Sequence, residues 1–182
     1  MIRPAAILMT MAAVMLFAGC GGGSAKKSSG TTVQTGPMPI VAKEQEFRTV
    51  IPRGYVNHPS VAQYWAEGPV EAGFPTSVLV VRQAVSKEVS LNAFAHRVHR
   101  AARQLTRKLS PLQAVSVNGE PGFAIDYLVT ATGTLKGKVT HVRQVLVKRG
   151  PWVLFIRDIA LPAQYGASLL AFDEVLRNWR WL

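Results

Sequence analysis

The sequence predicts an α+β sandwich: a mostly antiparallel β-sheet flanked by two main α-helices, in the order strand-strand-strand-helix-strand-strand-strand-strand-helix. Three observations carry this prediction. Short runs of alternating or continuous apolar residues are bounded by Gly- and Pro-bearing turn signals. Two longer stretches repeat apolar residues at helical spacing. The strands also come in uninterrupted blocks, and parallel neighbours would need a crossover of a dozen or more residues, so adjacent strands run antiparallel.

The elements follow in order. Phe47 to Ile51 alternates and stops at Pro52-Arg53-Gly54-Tyr55, a strand entering a turn. Val61 to Glu67 reads as a second strand closed by Gly68-Pro69, and Ser77 to Val85 as a third, apolar on both parities and so covered on both faces. A helix is expected from Ser90 to about Leu109. Ser90 is a good N-cap, Val89 and Phe94 can form a hydrophobic staple, and Leu91, Phe94, Val98, Ala101, Ala102, Leu105 and Leu109 make one apolar stripe before Pro111. Ala114 to Val117, the turn Asn118-Gly119, the run containing Phe123, Ile125, Tyr127 and Val129, Lys138 to Lys148, and Trp152 to Ile159 supply four more strands. After Pro162, Tyr165, Leu169, Phe172, Leu176 and Trp179 recur along one face of a closing helix. The two helices must bury their stripes on the sheet.

The chain has 182 residues, with 21 Lys and Arg against 10 Asp and Glu, a net charge of +11. Its length favours one folded domain. A single cysteine excludes an internal disulfide framework and a thiolate-cluster metal site.

That cysteine has a telling context. Met1-Ile2-Arg3 is a short basic start, and the 14 residues from Ala5 to Ala18 are apolar except for Thr10. This fits the apolar core of a secretory signal, about 7–15 residues, and falls short of the roughly 20 residues that span a bilayer. The run ends at Phe17-Ala18-Gly19-Cys20, which resembles the lipobox of bacterial lipoproteins. There the cysteine thiol receives a diacylglycerol, the signal is cut before it, and the new amino terminus is acylated in many species. Phe17 departs from the family's preference for Leu at its position. The resemblance implies a signal peptide over residues 1–19 and lipidation at Cys20, with acyl chains such as palmitate. Residues 20–38, rich in Gly, Ser and Lys, read as a flexible tether, and 39–182 as the α+β domain.

Further along, the strand running into the Pro-x-Gly-aromatic turn at Phe47–Tyr55, Gly73-Phe74-Pro75-Thr76, the basic amphipathic helix, Val117-Asn118-Gly119-Glu120-Pro121-Gly122 and the Phe172–Trp179 helix together resemble the PsbP-like superfamily. Within it the pattern is similar to the LpqN-like lipoproteins of mycobacteria and their relatives. The resemblance implies an antiparallel sheet flanked by helices, used as a non-catalytic binding or accessory module. It carries over no catalytic residue, because the family has no shared catalytic motif to match.

The residues themselves offer little chemistry. There is no Gly-x-Ser-x-Gly, P-loop, Gly-x-Gly-x-x-Gly or His-Glu-x-x-His motif. His96 and His99 share a helix face but are flanked by Arg97 and Arg100, which disfavours a metal. Asp126 and Asp158 fall in mid-strand, where a buried acid needs a partner that Arg143 or Arg157 could supply. His58 and His141 have no recognisable partner in sequence. Trp65, Trp152, Trp179 and Trp181 could be core residues or could line a hydrophobic pocket.

The sharpest surface feature is the first helix. Arg97, Arg100, Arg103, Arg107 and Lys108 lie off its apolar stripe, and no acid occurs between Leu91 and Leu109. Solvent alone, an anionic lipid or envelope polymer, and an acidic protein are the candidate occupants of this face. An exported lipoprotein without a DNA- or RNA-binding motif is a poor candidate for nucleic acid. The sequence thus predicts a lipid-anchored cell-envelope protein, held on the cell membrane or outer membrane and facing outside the cytoplasm. Its domain is expected to bind without catalysis, cofactor or metal. The open alternatives are a carrier of a lipid or small hydrophobic ligand in a helix–sheet pocket, and an envelope enzyme whose residues meet only across strands.

Overall fold

Alternation along the strands places one set of side chains on each face of a sheet, and here both faces of the central strands are apolar, so each must be covered. The computed structural model describes residues 36–44, 46–58, 62–106, 108–131 and 137–182. The expected signal segment, Cys20 and Arg107 lie outside the described residues. The elements are β1 (Met38–Val41), β2 (Phe47–Ile51), β3 (Val56–Asn57), β4 (Tyr64–Glu71), β5 (Phe74–Ala84), α1 (Leu91–Leu105), β6 (Gln113–Val117), β7 (Glu120–Thr130), β8 (Val139–Arg149), β9 (Trp152–Ala160), α2 (Tyr165–Arg177) and β10 (Arg180–Trp181).

Two sheets form, both antiparallel. The larger has the order β3-β4-β5-β9-β8-β7-β6 and the smaller β1-β2-β10. The larger is two meanders, β3-β4-β5 and β6-β7-β8-β9, joined where β5 pairs β9 from Ser77↔Ile159 to Ala84↔Trp152. α1 lies on one face, with Phe94, Ala95, Val98 and Ala102 against Ile125, Tyr127, Val142, Leu146 and Phe155. The other face is covered by α2 and the small sheet: Phe47, Ile51, Phe172, Val175 and Trp179 pack on Val78, Val80, Ala124, Val145, Leu154 and Ile156. Trp179 stacks on Phe47 at 3.8 Å between ring centroids, Trp181 lies edge-on to both, and the Trp181 Nε1–H donates to Val117 O at 3.0 Å.

The architecture is the predicted one, an antiparallel α+β sandwich with two main helices, and it adds three short strands. β3 and β10 have two residues each and β1 four, too few for a period to show. The helix that was expected to reach Leu109 stops at Leu105. Leu105 is 44% exposed, and Leu109 instead makes an isolated antiparallel bridge to Tyr127. Its start is as expected, with Ser90 Oγ accepting from Ala93 N at 3.2 Å. Asn118-Gly119 turns β6 into β7 with both residues at positive φ, the conformation of a two-residue hairpin turn.

Gly68-Pro69 does not close the second strand. β4 runs through it with a register shift between Glu67 and Val70, and the reversal comes at Ala72-Gly73, again with both φ positive. The reason is the ring of Tyr55, delivered by the turn after β2. A Cβ on Gly68 would fall 2.5 Å from Tyr55 Cζ and against Thr76 Oγ1. Glycine therefore marks a close approach within a bulged strand. Gly68→Ala is expected to lower unfolding stability by about 1–3 kcal/mol, as overpacking does, while Gly36→Ala, which meets nothing within 4 Å, leaves it unchanged. Urea unfolding of the two variants measures the difference.

Candidate functional site

The basic face of α1 follows from its pattern. Phe94, Ala95, Val98 and Ala102 are buried, which turns His96, Arg100 and Arg103 to solvent. Among the described residues the ion pairs are His58–Glu67, Arg82 with Glu44 and Glu46, and Arg143–Asp126, so no carboxylate neutralises Arg97, Arg100, Arg103 or Lys108. The structure separates these predicted residues. Arg100 and Arg103 are exposed on the helix. Arg97 is half-buried, its guanidinium 5.6 Å from the Phe94 ring centroid, so part of its role is packing. Lys108 is exposed but lies beyond the helix, where its backbone oxygen accepts from Leu128 N at 3.1 Å. His96 is exposed and His99 Nε2 meets Ser110 O at 2.9 Å, so the two imidazoles do not converge. Among the described residues no group of three or more His, Cys, Asp or Glu is placed to hold a metal ion.

Inside this face the contacts continue inward. Phe94 meets Phe155 edge-on at 5.9 Å, and the guanidinium of Arg157 lies 5.0 Å from the Phe155 ring centroid. Arg157 is 3% exposed, donates from Nε to Gln144 Oε1 at 2.6 Å, and has no carboxylate partner among the described residues. Its Nη2 and the Nε2 of Gln144 lack an acceptor. Burial pushes its guanidinium below the usual range, with Tyr127 opposing. A buried cation held by a neutral amide adds little net stability, since apolar replacements of buried charges are often neutral or stabilising. The double replacement Arg157→Met, Gln144→Leu should unfold thermally at or above the wild-type temperature.

On the opposite face, cross-strand register brings Asp126, Arg143 and Asp158 into one row. Arg143 Nη1 donates to Asp126 Oδ2 at 3.0 Å, the Tyr165 hydroxyl donates to Asp126 Oδ1, and the Ser168 hydroxyl to Asp158 Oδ1. Arg157, adjacent to Asp158 in sequence, points to the other face and reaches neither acid. His141 lies flat on Tyr165 with centroids 3.4 Å apart. Tyr165 and Ser168 belong to the first turn of α2, which has no acid of its own. Asp126, paired with Arg143, supplies negative charge there, where the helix dipole favours it. Sequence reading singled out the acids and Arg143 but missed Tyr165 and Ser168, because their role appears only when α2 lies on β7–β9.

This cluster fastens the first turn of α2 to the sheet through Tyr165 and Ser168. Burial pushes the Tyr165 phenol up, reinforced by its hydrogen bond to Asp126. Burial lowers His141, with Asp126 opposing and Arg143 reinforcing. Burial raises Asp158 to about 7, against the Ser168 hydrogen bond and Arg143, and with Asp126 and Asp173 adding to the rise. Its Oδ2 has no partner.

A carboxyl whose pKa is higher folded than unfolded binds its proton more tightly in the native state. Its contribution to stability is therefore full below the unfolded value near 4 and is lost as pH rises towards 7. Across that window the wild type should lose on the order of a few kcal/mol. Asp158→Asn should remove that slope and be the more stable form at pH 8, as read from urea midpoints at pH 5 and 8.

The tryptophans do not gather around one pocket. Trp179 and Trp181 pack with Phe47, Trp152 lies under the Arg82 guanidinium at 4.2 Å, and Trp65 sits 5.1 Å from His58. A shallow open groove of about 450 Å³ lies elsewhere, between the end of β6 and the C-terminal turn of α2, lined by Ser116, Asn118, Asp173, Leu176, Arg177 and Arg180.

With two meanders, one helix on each face and a small sheet beside α2, the fold can be compared with solved structures. LpqN of Mycobacterium tuberculosis, described as involved in cell envelope biogenesis, superposes with a TM-score of 0.62 at 13% identity, covering 79% of this chain and 88% of LpqN. The fold is that of the PsbP-like proteins. Cyanobacterial PsbP (CyanoP) from Synechocystis gives a TM-score of 0.56 at 11% identity, covering 89% of this chain and 100% of CyanoP. The Ran-binding protein Mog1p of Saccharomyces cerevisiae gives 0.53 at 14% identity, covering 79% and 94%. No protein-family profile and no curated protein matches the sequence.

Proposed function

We propose that this protein is a lipid-anchored component of the cell envelope whose PsbP-like domain binds a partner without catalysing a reaction. One observation carries the reading. A basic start and a 14-residue stretch that is apolar except for Thr10 end in small residues directly before the chain's sole cysteine, the arrangement that lipid transfer and signal cleavage need. The domain that follows fits a binding role. It offers an acid-free cationic face on α1, and among the described residues no helix is long and apolar enough to cross a membrane. The described roles of fold neighbours agree with this: LpqN is involved in cell envelope biogenesis, and Mog1p is Ran-binding.

Residues 1–19 then act as the export signal, Cys20 as the attachment point, and the segment after it as the tether. Two or more acyl chains give stable anchoring, at about 0.8 kcal/mol per buried methylene. Growth with a radiolabelled lipid precursor should label the wild-type protein and leave Cys20→Ala unlabelled, with the variant released from membranes. Equal label in both would sink the reading.

A further inference from the structure

We propose that the exposed face of α1, centred on Arg100 and Arg103 and extended by Lys108, docks on the anionic headgroups of the membrane that holds the anchor. This deepens the anchoring reading and rests on it. Three features of the molecule argue for a lipid surface. The first is charge: these cations are exposed, none is paired with an acid among the described residues, and Leu91–Leu105 contains no acid at all.

The second is shape. Arg100 and Arg103 stand one turn apart on the exposed, convex side of α1, whereas a groove lined by Asp173, Arg177 and Arg180 lies at the far end of α2. A small ligand needs a concavity. A planar array of phosphates does not.

The third is reach. α1 covers one face of the large sheet while β1, where the tether joins, belongs to the small sheet on the other. To lay α1 on the membrane, the chain before Gly36 must pass around the domain, roughly 20–30 Å at about 10 Å per packed layer. About 16 residues separate Cys20 from Gly36, and a chain of that Gly/Ser-rich composition has an r.m.s. span of about 20–24 Å and an extended reach of roughly 50 Å. A docking face beside β1 would need almost none of that length.

The test uses the mature chain, residues 20–182, with Cys20→Ser so that acyl chains do not mask the contact. Sedimentation with vesicles of phosphatidylglycerol and phosphatidylcholine is compared with pure phosphatidylcholine. Each cation near such a surface is worth about fivefold in affinity. The wild type should pellet with anionic vesicles and not with neutral ones, and raised salt should release it. Arg100→Glu with Arg103→Glu should weaken pelleting at least tenfold, while the equal charge change at the exposed Arg48 and Arg53 on and after β2 should leave most of it.

Equal losses in the two double variants would overturn the proposal in favour of a general net-charge effect. Pelleting unchanged by Arg100→Glu with Arg103→Glu would overturn it too. So would binding to soluble poly(glycerol phosphate) with no binding to anionic vesicles, which points to an envelope polymer. Any of these, with Cys20-dependent lipid labelling intact, would leave the anchor standing. Label independent of Cys20 would remove the anchor itself.

Discussion

The pairing of β5 with β9 is the constraint on which the rest of the molecule depends. Each meander forms its own local hairpins, but neither alone offers a platform wide enough to cover a helix on both faces. Joined along Ser77↔Ile159 to Ala84↔Trp152, they make a seven-stranded surface. α1 and α2 then find opposite beds on it, and the small sheet closes beside α2. The joined residues lie far apart in sequence, so the entropy of closing a long loop is incurred before both cores can form. Val78, Val80, Leu154 and Ile156 at this seam are almost fully buried, as strands covered on both faces demand.

The two faces are packed by different means. Under α1 the contacts are aromatic and aliphatic, interrupted by one buried guanidinium held by an amide. Under α2 a carboxylate–guanidinium row anchors the first turn of the helix, and a stacked Phe47–Trp179 pair anchors its end. This asymmetry leaves α1 with no polar fastening of its outer side. Its charged residues remain available, whereas Asp126, Arg143 and Asp158 beneath α2 are engaged with one another or with that helix.

Much of this was legible in the sequence because it rests on period. The long strands, the Ser90 cap and the Asn118-Gly119 turn all come from local patterns whose physics is complete within a few residues. What could not be read depends on distant partners. Gly68-Pro69 looks like a turn until Tyr55 is placed over Gly68. Leu105 looks like core until the sheet is seen to leave it uncovered. Asp158 could have paired with either neighbouring arginine. Strand parity sends Arg157 to the other face, and only register brings Arg143 beside the acids. Ser168 and Tyr165 carried no signal of their own, since a hydroxyl in a first helical turn is ordinary until an acid lies beneath it.

The position of β1 has a mechanical consequence. It is an edge strand of the small sheet, held to β2 by four residue pairs from Met38↔Ile51 to Val41↔Arg48. A load entering through the preceding segment reaches the domain at Met38 and meets those pairs one after another. Met38 and Ile40 also pack on the core shared by Phe47, Phe172 and Trp179. Lifting β1 therefore uncovers an edge of that core as well as the unpaired side of β2.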